Sequence, residues 1–188
     1  MLLTKKLTMG LSGLALLIVA ALSLPAAAER RVQDAEAQCQ VAERLDDFRI
    51  TALKVQRQAD ILQSHRNSPV SWQTHASQLA DLTDHVNQLG KSLSELEAMK
   101  SQASDAQRLA IEHARPHLVA IAQSTMRAIE LLNENRGITR FPAYSEVASD
   151  IYDHANTLHT KLDVILDSEN SKSRLDALEL QPVSSEGS

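Results

Sequence analysis

Seven histidines hold most of the chemical potential of this chain: His65, His75, His85, His113, His117, His154 and His159. Neutral imidazole is a common ligand for Zn and Cu and the side chain that titrates nearest neutrality. His113 and His117 are four residues apart, so a helix presents both rings on one face. In the antiparallel arrangement developed below, His85 falls at the depth of His117. Each of those two precedes an apolar seam position, Val86 and Leu118. His85, His113 and His117 are therefore the candidate set for Zn or Cu. His159 shares their depth but follows Leu158 and is expected to point outward. Asp81 and Asp150 precede His85 and His154 by one turn, where a carboxylate orients an imidazole or raises its pKa. The plainer reading makes these surface histidines among many polar residues, with no bound cofactor.

His75 and His154 sit where the seams otherwise carry leucine or valine. A neutral core histidine with a satisfied hydrogen bond is the expectation for such a position. Axial ligation of a haem is the sharper alternative. Covalent haem attachment is excluded, because Cys39 is the single cysteine. An odd thiol in an exported protein is either inert or able to bridge two copies, so a homodimer through Cys39 is a further expectation.

Trp72, Phe141 and Tyr144 form a second constellation. All three flank connections at one end of the expected bundle, with Tyr152 somewhat deeper. With His75 and Arg140 they make a candidate site for a small ligand or a partner protein. An aromatic plug closing the core is the alternative. Enzyme signatures are missing from the sequence. It holds no Glu-x-x-His of the di-metal bundles, no Gly-x-Ser-x-Gly and no glycine-rich phosphate loop. No enzymatic activity is expected.

The elements that must position these residues are helices. Of 188 residues, 43% are hydrophobic and only 3% aromatic, with five glycines and five prolines. That is poor material for strands and hairpin turns. Val41, Leu45, Phe48, Ala52, Val55, Ala59 and Leu62 alternate by steps of four and three, the stripe of a packed helix. A second stripe runs Trp72, His75, Leu79, Leu82, Val86, Leu89, Leu93 and Leu96, with Ser68-Pro69 offered as its start. A third runs Ile111, Ala114, Leu118, Ile121, Thr125, Ala128 and Leu132. Ser104 and Gln107 have capping-box spacing before it. Pro116 predicts a kink within it, or two helices meeting there. Gly137 is offered as a left-handed exit. After Phe141-Pro142 a fourth stripe runs Tyr144, Val147, Ile151, His154, Leu158, Leu162 and Ile165. Leu175, Leu178 and Leu180 suggest one or two further turns.

Helices of ~30 residues are ~45 Å long, and short connections make neighbours antiparallel. The expected fold is all-α: a long antiparallel up-down four-helix bundle after an N-terminal signal peptide. A long three-helix bundle with the fourth helix packed differently is the alternative. Residues 1–28 read as the signal, with Lys5 and Lys6, an apolar run, Pro25 and the small residues Ala26 to Ala28 before cleavage. Residues 29–180 form the bundle, and residues 181–188 a loose tail.

No later segment is apolar enough to span a membrane. The net charge is −5, and loss of Lys5 and Lys6 makes it more negative. Without a Lys/Arg cluster, nucleic acid is an unsuitable partner. The expected protein is periplasmic or secreted and binds a partner protein or small ligand. A metal-binding bundle and a self-associating envelope scaffold are the alternatives.

Overall fold

The computed structural model describes residues 25–65 and 70–179. The apolar run of the expected signal peptide, Ser68-Pro69 and the 181–188 tail lie outside these residues. Four long helices follow in order: α1 (Pro25–Ser64), α2 (Trp72–Ala98), α3 (Asp105–Glu134) and α4 (Pro142–Glu179). Single 3-10 turns precede α3 and α4, at Lys100–Gln102 and Ile138–Arg140. No strand occurs among the described residues. Among the described residues, no helix is long and apolar enough to cross a membrane. By compactness the chain divides into Met1–Ala35 and Glu36–Ser188, and the architecture below is that of the second unit.

Side-chain bonds between helices give the topology. Arg44 pairs with Glu95, and Gln58 Nε2 donates to the Gln78 carbonyl, so α1 runs antiparallel to α2. Lys100 with Glu112 and Arg115 with Glu97 join α2 to an antiparallel α3. Arg49 reaches Asp163 and Asp167, and Gln63 reaches Ser149, which sets α1 against an antiparallel α4. The α3 and α4 backbones run close together over more of their length than those of α2 and α3. The ring α1–α2–α3–α4 is an up-down four-helix bundle.

The core follows the three-four spacing. Every seam residue named above for α1 and α3 is buried, as are His75 through Leu96 of the α2 seam; Trp72 is half-buried. On α4 the seam differs. Ala148, Ala155 and Leu166 are buried, whereas the expected Val147, His154 and Ile165 are only partly buried. Close approach of two helices favours small side chains between them. Ala148 and Ala155, with Ala110, Ala114 and Ala128 on α3, supply these.

The helix ends have local causes. Ser71 caps α2 by accepting from the Thr74 N–H, so this helix begins three residues after the expected Ser68 cap. Ser104 accepts from the Gln107 N–H, and the Gln107 carboxamide accepts from the Ser104 N–H: the expected capping box is present. Ser104 Oγ also donates to Glu169, tying the start of α3 to α4. α3 is one continuous helix through Pro116. Pro116 and Glu112 are exposed, so water can bond the Glu112 carbonyl that the missing N–H leaves free. Gly137 is not left-handed, with φ −85°. Asn135 terminates α3 instead, its Oδ1 accepting from the Gly137 N–H at 2.9 Å. Beyond the core, α4 continues without interruption through Leu175 and Leu178, both exposed.

Candidate functional site

At the end holding the α1–α2 and α3–α4 connections, sequence and geometry converge on one buried polar pair. Ser71 starts α2 so that His75, one turn in, faces the core. Pro142 starts α4 so that Tyr144 does the same. His75 is 1% exposed and Tyr144 0%. His75 Nδ1 and the Tyr144 hydroxyl lie 3.1 Å apart, with the rings edge-on at 5.3 Å. Burial raises the Tyr144 pKa above its usual value, so the phenol keeps its proton and donates. Burial first, and then the charge of His65, lower the His75 pKa, so this imidazole is neutral and accepts. His65 stands edge-on to His75 at 6.2 Å, and the Gln78 Nε2 donates to His65 Nδ1 at 2.9 Å. A histidine–tyrosine–histidine layer therefore closes this end of the core.

Outside that layer the remaining aromatics are accessible. The Arg136 guanidinium lies 4.3 Å over the Trp72 ring. Phe141, last residue before α4, is 53% exposed, and Arg140 beside it is exposed. Among the residues anticipated here, His75 and Tyr144 form the buried floor. Trp72 is half-buried at the rim, while Phe141 and Arg140 face solvent. Arg136, which contacts Trp72, carried no signal in the sequence beyond its place in a loop.

The other histidines are distributed differently from expectation. His117 meets His154 of α4, Nδ1 to Nδ1 at 3.4 Å, rather than His85. The step of about 100° from Ala155 to His154 turns the ring out of the core toward α3, where it meets His117. His113 is exposed. His85 is half-buried, and its Nδ1 is buried with no hydrogen-bond partner among the described residues. His159 does not point outward: its side chain is 19% exposed, and its Nε2 sits 3.5 Å from Asp163. No group of three or more His, Cys, Asp or Glu side chains able to hold a metal occurs among the described residues. Cys39 is exposed.

Level-matching points to His159 instead, since His117 lies 17 residues before the end of α3 and His154 only 12 after the start of α4. Assigning His154 to the α4 seam also hides its pairing with His117. Comparison with family models, curated proteins and solved structures finds no match for this chain.

Proposed function

We propose that this chain is an exported, non-enzymatic helical-bundle protein whose loop end docks a segment of a partner protein. The observation that carries the reading is Phe141, more than half exposed at the start of α4 beside Arg140, at the bundle end that also holds the Arg136–Trp72 stack. Large aromatics beside arginines are the side chains that contribute most at protein interfaces. The buried His75–Tyr144 pair beneath holds the two connections in place, so little ordering is left for binding to impose. A group so open to solvent suits a partner's surface better than an enclosed small molecule. The two guanidiniums select the occupant: a peptide segment with carboxylates flanking an apolar side chain. Export is supported by residues 1–28, with paired lysines, an apolar run and small residues before Glu29.

Trp72, the single tryptophan, reports on the site directly. Acidic peptides carrying a central leucine or phenylalanine are expected to shift its emission saturably. Basic peptides of the same apolar content are expected to leave it unchanged. The Phe141→Ser and Arg140→Glu variants should lose the response while keeping the wild-type melting profile. Equal responses to acidic and basic peptides, or none to either, would remove the docking assignment.

A further inference from the structure

On the outer side of the α3–α4 contact, three basic groups are wired in series. The Lys161 Nζ lies 3.4 Å from His117 Nε2. His117 Nδ1 lies 3.4 Å from His154 Nδ1, with the rings tilted by 49°. An ammonium group has only donors, so His117 Nε2 must accept. Neutral His117 then carries its proton on Nδ1 and donates it to His154 Nδ1, and His154 is protonated on Nε2.

The charged groups that act on His117 share one sign. Burial is the largest influence lowering the His117 pKa, followed by Lys161, His154 and His113. Nearby carboxylates face other groups: Glu112 pairs with Lys100, and Asp163 with Arg49 and His159. Asp150 and Asp153, on α4 beside His154, are exposed. A cation held between the two Nδ1 atoms would move the His117 proton to Nε2, against the Lys161 ammonium. An anion has the opposite effect. It can accept from Lys161 and from both Nδ1–H groups once His154 takes a proton. It also relieves the repulsion between two facing N–H groups.

We propose that His117, His154 and Lys161 form a binding site for a tetrahedral oxyanion of the phosphate type, filled with uptake of protons from solvent by the imidazoles. Three donors from two helices meet three acceptor oxygens, and the ion offsets the positive charge of Lys161 and of protonated His154. Linkage fixes the pH dependence. The anion favours charged imidazoles and raises their midpoints, so its affinity increases as the pH falls through the imidazole range and levels off below it.

The test is an NMR titration of the histidine ring signals of the full chain between pH 5.5 and 8. It is run with inorganic phosphate, with glycerol phosphate, and with chloride at matched ionic strength. Phosphate is expected to raise the His117 and His154 midpoints by ~0.5 unit or more, leaving His65 and His85 in place. Lys161→Met, at an exposed position, is expected to abolish that shift with an unaltered melting curve, and His154→Gln to abolish it at His117. An equal effect of glycerol phosphate marks a site for phosphoryl groups on larger molecules, and a phosphate-only effect marks one for the free ion; either supports the assignment. Unmoved midpoints, a shift shared by all histidines or reproduced by chloride, or a stoichiometric response to Zn²⁺ without one to phosphate would overturn it.

Discussion

At the scale of single residues, the His75–Tyr144 pair is a buried polar contact whose loss leaves an atom without a partner. Tyr144→Phe keeps the ring but leaves His75 Nδ1 buried without its donor. A loss of ~1–3 kcal/mol is expected from urea unfolding. The same pair sets a pH dependence. The His75 pKa is lowered in the folded chain, so the unfolded chain takes up its proton first as the pH falls. Stability is therefore full above about pH 6.5 and declines as the pH drops from there through the lower folded midpoint. His117 adds a contribution of the same sign. His75→Gln should shallow this decline, measured as the urea midpoint against pH. Outside the layer, Arg136→Ala should cost only ~0.5–1 kcal/mol while altering Trp72 emission.

At the scale of elements, the seams of α1 and α3 could be read from the sequence, because three-four spacing admits only one apolar stripe in each. α4 could not be read the same way. At 147/148, 154/155 and 165/166 it offers two neighbouring residues for each core position. Hydropathy chooses valine and isoleucine, whereas the core takes the small alanines at 148 and 155. Ala155→Leu is thus expected to destabilise by ~1–3 kcal/mol through overpacking, and His154→Leu by much less. The opposite order in thermal unfolding would restore the stripe through His154. Gly90 gives a stabilising counterpart. It lies within α2, and an added Cβ would meet no atom within 4 Å. Gly90→Ala should stabilise by ~1 kcal/mol. The α3 cap was readable because Ser104 and Gln107 satisfy each other locally. The α3 exit falls where expected, but its left-handed Gly137 was not borne out, because Asn135 ends the helix.

At the scale of the whole molecule, four amphipathic helices close one core, and the candidate site is what remains at the end where two connections meet. The sequence placed Trp72, His75, Phe141 and Tyr144 at that end, because loop positions in an up-down bundle determine which residues share a level. It did not separate floor from rim. That division depends on one residue of rotation at the start of α4, where Phe141 precedes the helix and Tyr144 lies within its first turn. Export predicts a mature chain beginning Glu29-Arg30-Arg31 in N-terminal sequencing of protein from the cell envelope or medium; a chain retaining Met1 would contradict it. Mutual shielding of the seams supports every placement above, and amide hydrogen exchange resolved by residue tests it most directly. The slowest exchange is expected at Leu45–Leu62, Leu79–Leu96, Ile111–Leu132 and Tyr144–Leu162, with all four segments opening together near the global unfolding free energy. Rapid exchange along any one of these segments while the other three stay protected would contradict a single four-helix core.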